Sequence, residues 1–236
     1  MSQRAILFDA GETLLFQKPS REAMFQQIAA SIGLPLTIDA IGEGYRHLDL
    51  HLAQYGRPPP RGGFSPVALN PEPLGGAAYN ALILEGAGFS DDLLFHAESI
   101  TTAFSEIEAF EFQVLSATWD MLNDLVRLGY KLAIVSNWDE SLEPICTNLG
   151  LTCFFDAIIA SQVIGFAKPD RRIFEIALQR LDVEKANAFH VGDSYHTDVV
   201  GARNAGITPI LFDWKGCYPH PDCSRIEKLD ELIALL

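Results

Sequence analysis

At 236 residues and 48% hydrophobic content, the chain can bury a substantial core, and its length suits one large domain or two modest ones. Its 17 Lys and Arg against 31 Asp and Glu give a formal net charge of −14, which argues against a nucleic-acid backbone or an anionic membrane as partner and leaves small anions free to bind locally. No apolar stretch reaches the roughly 18 residues that a spanning helix requires, and the N-terminus enters a strand-like run without a signal-peptide pattern, so a soluble cytoplasmic protein is expected.

In chain order, Ala5-Ile6-Leu7-Phe8 is apolar on consecutive residues, as expected of a central strand covered on both faces. From about Lys18 to Val114 the periodicity turns helical, with Met24, Ile28 and Ala29, then Leu48, Leu52 and Tyr55, then Leu93, Leu94, Ile100 and Phe104. This predicts a separate all-helical unit over 18–114. A Pro- and Gly-rich interruption from Arg57 to Gly76 carries no strand or helix signal and has the length of a functional lid or mobile segment. Arg46, His47, His51, Arg57 and Arg61 either meet a polar substrate or form a solvated helix face. Leu74 to Ala87 and Phe110 to Val114 pack within the molecule or form a dimer contact, so a monomer and a homodimer both stay open.

After residue 115 helix and strand alternate: a helix from about Thr118 to Leu128, a strand Leu132 to Val135, a helix around Leu142 to Leu149 and a strand at Ala157-Ile158-Ile159. A helix from about Arg172 to Leu181, a strand Ala188 to Val191, a helix from about Thr197 to Asn204 and a strand Pro209 to Phe212 follow. Crossovers of this kind imply a parallel sheet. The predicted fold is α/β: a doubly wound, Rossmann-like core of residues 1–17 and 115–236, interrupted after its first strand by the helical insertion.

Cys146, Cys153, Cys217 and Cys223 do not form a disulfide framework in a chain of this size and read as reduced thiols. Cys217, His220 and Cys223 offer three soft metal ligands without a fourth nearby, so a surface turn is the preferred reading.

Polar residues with chemical potential fall where the predicted strands end, the edge at which an open α/β sheet gathers its reactive groups. Asp9 opens Asp9-Ala10-Gly11-Glu12-Thr13-Leu14 and reads either as a nucleophile toward phosphorus or as a turn cap. Ser136 and Asn137 follow Ala133-Ile134-Val135 and offer a hydroxyl, an amide and backbone donors to phosphoryl oxygens, or form an ordinary turn. Lys168 precedes Pro169, which biases it toward extended backbone ahead of the next helix; its amine balances nearby acids or is simply solvated. Gly192-Asp193 with Asp198 adds two carboxylates, and acids crowded this closely repel unless a cation sits among them, for which hard oxygen ligands suit Mg²⁺. Asp193 is the direct-ligand candidate, and Asp198 orients ligands or bonds the lysine.

Together, in this order, these segments resemble the haloacid dehalogenase-like hydrolase superfamily, whose members are mostly Mg²⁺-dependent phosphatases. The match covers about residues 1 to 17 and 115 to 215, and the helical unit stands where such chains carry a cap domain. The resemblance makes Asp9 the nucleophile, Ser136 the phosphate-binding hydroxyl, Lys168 the charge-balancing amine, Asp193 a metal ligand supported by Asp198, and Thr13 a residue that holds the first loop. It further implies a metal contact through the backbone carbonyl at Gly11 and a small phosphorylated substrate.

One position departs from the pattern. Phosphatases of the superfamily carry Asp two residues after the nucleophile, where it protonates the leaving group, and here that residue is Gly11. General acid–base help is typically worth about 10² to 10⁴ in rate, roughly 3 to 5 kcal/mol of barrier, so slow turnover is expected. Glu12 is the available substitute, with the freedom of Gly11 letting the loop turn toward the leaving group, although neighbouring side chains of an extended segment point to opposite sides. Two other readings follow from Gly11: a non-catalytic member that binds a phosphorylated ligand or a protein, and a 2-haloacid dehalogenase. Dehalogenases lack both the second Asp and the Gly-Asp pair, so Gly192-Asp193 favours the metal-dependent reading.

Overall fold

The computed structural model describes residues 3–55, 76–104 and 111–236. Arg57, Arg61 and the interruption up to residue 75 lie outside them, as do Leu74 and Phe110. The chain divides into two compact units, 1–16 with 112–236, and 17–111.

The first unit is built on β1 (Ala5–Phe8), β4 (Lys131–Ser136), β5 (Ala157–Ala160), β6 (Ala188–Gly192), β7 (Thr208–Phe212) and β8 (Ser224–Ile226), in the order β5-β4-β1-β6-β7-β8. Every neighbouring pair is parallel. β1 is flanked by β4 and β6, with Leu7 in register with Ala133 on one side and His190 on the other. From β1 and β4 the sheet grows to one side and from β6 and β7 to the other, so its winding reverses between β1 and β6, where an open α/β sheet leaves a crevice at its carboxyl edge. Two short strands, β2 (Phe16–Lys18) and β3 (Glu111–Gln113), pair separately.

Both faces of the sheet are covered, which is why its strands read as continuous apolar runs. Ile6, Phe8, Leu132, Ile134 and Val191 pack with Met121, Leu122 and Leu125 of α5 (Ser116–Arg127), whose buried positions recur at helical spacing. Ala5, Leu7, Ala133, Val135 and Ala188 pack with Ile173, Phe174, Ala177, Leu178 and Leu181 of α8 (Arg171–Leu181). Each large apolar side chain so buried contributes roughly 1.5–3 kcal/mol relative to exposure. Between these helices run α6 (Leu142–Asn148) and α7 (Ser161–Ile164).

Two expectations need correction. The helix predicted over Thr197 to Asn204 is a π-helical turn, Tyr195–Val200, followed by the short α9 (Gly201–Ala205). The Pro-rich stretch after Phe212 leads back into the sheet as β8, an edge strand too short to give a periodic signal. Asp213 organises it: buried, it accepts N–H bonds from Cys217 at 2.7 Å and Tyr218 at 2.9 Å and pairs with Arg225 at 3.2 Å.

The second unit holds α1 (Arg21–Ser31), α2 (Ile38–Tyr55), α3 (Ala77–Gly86) and α4 (Leu93–Phe104) around a core that includes Phe25, Ile28, Ile41, Leu48, Ile83 and Ile100. The Ser20 side chain caps α1 by accepting from the Ala23 N–H at 3.2 Å.

Candidate active site

Three strand ends of the first unit deliver the polar residues. β1 hands over to Asp9, whose N–H still donates to the Val191 carbonyl of β6 at 2.8 Å, so this carboxylate is fixed to two central strands at once. Ser136 is the last residue of β4, and its hydroxyl donates to Asp9 Oδ1 at 2.9 Å. Lys168, buried just before α8, places Nζ 2.6 Å from Asp9 Oδ1 and 2.6 Å from Asp198 Oδ1. Asp193 follows β6, and oxygens of Asp9, Asp193 and Asp198 all lie within 4.8 Å of one another. This is the one such group of acids, histidines or cysteines among the described residues; Cys217, His220 and Cys223 form none.

Asp198 is held on several sides. Its Oδ1 accepts from Lys168 and lies 2.8 Å from Nε2 of His190, while its Oδ2 accepts the Ser194 N–H at 3.0 Å. Gly192 makes room for it: a Cβ there would stand 2.2 Å from the Asp198 carboxyl carbon. His190 carried no signal in the sequence, because one histidine within the strand Ala188–Gly192 looks like any interior strand position. It is fully buried, edge-on to the Phe174 ring with centroids 4.9 Å apart.

Asn137 takes a different part from the one expected of it. Its Nδ2 donates to the Lys168 carbonyl at 2.9 Å and its Oδ1 accepts the Lys168 N–H at 2.7 Å, so the amide clamps the lysine's backbone instead of standing ready for phosphoryl oxygens.

The loop after Asp9 closes on the Ala10 carbonyl, which accepts from Leu14 at 2.9 Å and Leu15 at 2.7 Å. Its left-handed residue is Glu12, at φ 56°, and not Gly11. The Glu12 carboxylate is buried and accepts from Lys215 Nζ at 3.1 Å, a pairing 203 residues distant in sequence. Lys215 also lies over the Trp214 ring, 4.5 Å from its centroid. Thr13 is fully buried, and its hydroxyl finds no hydrogen-bond partner among the described residues. At Gly11 a Cβ would meet Trp138 Cζ3 at 3.5 Å, an ordinary contact, so the position has room for a Cβ.

The electrostatics separate the two acids that share the lysine. Burial alone would raise Asp198, but the Lys168 charge and the His190 contact hold it well below the usual carboxylate range. Asp9 is raised by burial, with Lys168 opposing and the Asp198 charge adding to the rise. Burial acts to lower Lys168, yet Asp198 and Asp9 keep it raised, so its amine stays an ammonium. One ammonium among three carboxylates leaves a deficit of positive charge, and three hard oxygens this close fit a divalent cation such as Mg²⁺. Both oxygens of Asp198 already accept hydrogen bonds.

Residues 3–206 match the haloacid dehalogenase-like hydrolase family. The chain is 47% identical over 102 residues to haloacid dehalogenase-like hydrolase domain-containing protein 3 of Mus musculus, covering 43% of this chain and 41% of that one. Thus the match spans less than half the length of that relative. Glyceraldehyde 3-phosphate phosphatase of Methanothermobacter thermautotrophicus is 29% identical over 218 residues, 88% of this chain and 84% of its own. In fold, the chain resembles the crystal structure of a phosphatase from Thermococcus onnurineus, with a TM-score of 0.58 and 22% identity over 99% of this chain and 97% of that one. Since that family match spans most of its length, the chain belongs to the haloacid dehalogenase-like hydrolase family.

Proposed function

We propose that the protein hydrolyses small phosphorylated metabolites, passing the phosphoryl group through Asp9. The observation that carries this reading is the Lys168 amine at 2.6 Å from Asp9, with Ser136 at 2.9 Å from the same oxygen. The Asp9 carboxylate attacks phosphorus, the ester oxygen leaves, and water then cleaves the aspartyl-phosphate. Lys168 offsets the charge of the phosphoryl oxygens, and the Ser136 hydroxyl turns from Asp9 to donate to one of them. Asp9, Asp193 and the Gly11 carbonyl would hold Mg²⁺, with Asp198 in support. When bound, Mg²⁺ supplies the positive charge that keeps the acids ionised and polarises the phosphoryl group.

Gly11 brings no acid to the leaving group, so turnover is slow and favours esters that depart unassisted, such as acyl or aryl phosphates. Glu12 faces Lys215, and we assign it to holding the loop rather than to proton transfer. The helical unit, inserted in sequence after the first strand, serves as the substrate-selecting cap. The relative named for glyceraldehyde 3-phosphate supports a small phosphorylated substrate. Four free cysteines support a reducing, cytoplasmic setting. Among the described residues no helix is long and apolar enough to cross a membrane.

Gly11 also favours a second reading, a binding protein without turnover. Gly11→Asp, assayed with Mg²⁺ on p-nitrophenyl phosphate and on an alkyl phosphate, separates the two. A large gain chiefly on the alkyl ester marks a working site that lacks only its acid. No turnover in either variant leaves the binding role, and chloride release from a 2-haloacid would point to dehalogenation instead.

A further inference from the structure

We propose that His190 is a positioning residue that holds the Lys168 amine against Asp9 by way of Asp198, an inference that rests on the phosphohydrolase reading of this site. The imidazole Nε2 lies 2.8 Å from Asp198 Oδ1, the same oxygen that accepts from Lys168 Nζ at 2.6 Å. Asp198 is held ionised, and an oxygen without a proton makes Nε2 the donor. Two cationic or polar hydrogens therefore share one carboxylate oxygen.

That sharing has a geometric consequence. Lys168 stands between two acids, and each pulls the amine with a short charge-assisted bond. If Asp198 were free to swing, it would follow the ammonium and draw it out of line with Asp9. The His190 N–H pins Oδ1 from the sheet side, and the Ser194 N–H pins Oδ2. The carboxylate is thus a fixed post, and the amine it carries is delivered to Asp9.

His190 is itself fixed by the fold. On β6 the side chains of Ala188, His190 and the bare Gly192 share one face, so the ring lies on the same side as the Asp198 carboxylate that covers Gly192. The Phe174 ring meets it edge-on at 4.9 Å. Phe174 belongs to α8, which starts three residues after Lys168, so helix, histidine, aspartate and lysine close a ring of contacts. An aliphatic residue at 190 would fill the core equally well. A buried imidazole in that place, with its other nitrogen, Nδ1, left without a partner among the described residues, is accounted for by the bond it makes through Nε2.

The test pairs two amides of different reach, His190→Gln and His190→Asn. The glutamine nitrogen extends to about where Nε2 lies, and the asparagine nitrogen stops near Nδ1. With Mg²⁺ and p-nitrophenyl phosphate, His190→Asn is expected to lose about 10- to 100-fold in kcat, the range found when an outer partner of a reacting group is removed. KM and the Mg²⁺ dissociation constant from calorimetry stay within about threefold, and His190→Gln recovers most of the rate. Equal losses in both variants, or a wild-type kcat in His190→Asn, overturn the proposal. If the wild-type protein has no phosphatase activity, that reading fails by itself, and the crystal structure of His190→Asn decides this one. Lys168 Nζ withdrawn from Asp9 supports it, and an unmoved amine overturns it.

Discussion

Lys168 and Asp9 are 159 residues apart in sequence, and their side chains meet at 2.6 Å in the interior of the protein. Because Lys168 also holds Asp198, its ammonium is bonded to two buried acids. Lys168→Met should therefore cost about 3–5 kcal/mol of stability, the range for removing one partner of a buried ion pair. Removing Asp198 as well, in Lys168→Met with Asp198→Asn, should return part of that loss. Urea unfolding of the single and double variants checks it, and strict additivity of the two changes would show that the charges do not interact.

The left-handed backbone at Glu12 predicts an order between two substitutions. Glu12→Ala and Glu12→Gly both remove the Lys215 ion pair, and they differ in how well each residue tolerates φ 56°. Glycine should be the more stable by about 1 kcal/mol. The same position decides the acid–base question: Glu12→Gln is expected to leave phosphatase turnover within about twofold of wild type, since the side chain serves the loop. A drop of two orders of magnitude, the scale of a lost general acid, would return Glu12 to the chemistry.

Two glycines should respond differently to one added methyl group. Gly192→Ala drives a Cβ to within 2.2 Å of the Asp198 carboxyl carbon, against a group held by three hydrogen bonds. Overpacking of this kind typically costs about 1–3 kcal/mol, and the displaced Asp198 releases Lys168, so activity falls too. Gly11→Ala meets Trp138 at 3.5 Å, an ordinary contact, and should fold as the wild type does. Thermal unfolding and turnover of the two variants test the contrast.

Asp198 predicts a pH dependence with a definite sign. Its carboxyl is held below the usual range in the folded protein, burial being outweighed by Lys168 and His190, whereas in the unfolded chain it titrates near 3.9. A depressed acid contributes stability that is present above the unfolded value and lost as pH falls through the folded one. The stability gap between wild type and Asp198→Asn should stay level from about pH 5 to 8 and close below about pH 4. A gap that instead widened on acidification would mean that Asp198 is protonated in the folded state.

Much of this site was legible in the sequence because its residues sit at strand ends, where an apolar run gives way abruptly to polar residues. Asp9, Ser136 and Asp193 are all announced that way, and parallel strands with short crossovers bring such ends to one edge. The partnerships were not legible. Nothing near Asn137 in sequence says that its amide clamps the Lys168 backbone, and nothing near Glu12 points to Lys215. His190 was hidden by its strand, since period and hydropathy register a single polar residue among Ala188, Phe189 and Val191 only as a weaker core position. The last strand, β8, escaped notice because its order comes from Asp213, a buried acid that gathers three donors from residues four to twelve positions ahead. Local pattern reveals where a chain turns its chemistry outward, and tertiary contacts decide what each group then does.

The most direct test of the account is acid-quench mass spectrometry of the protein mixed with Mg²⁺ and p-nitrophenyl phosphate, reading which residue carries phosphoryl before water removes it. The account predicts a phosphorylated peptide with the group on Asp9, absent from Asp9→Asn. Steady turnover with Asp9 unmodified at every quench time, and undiminished in Asp9→Asn, would contradict it.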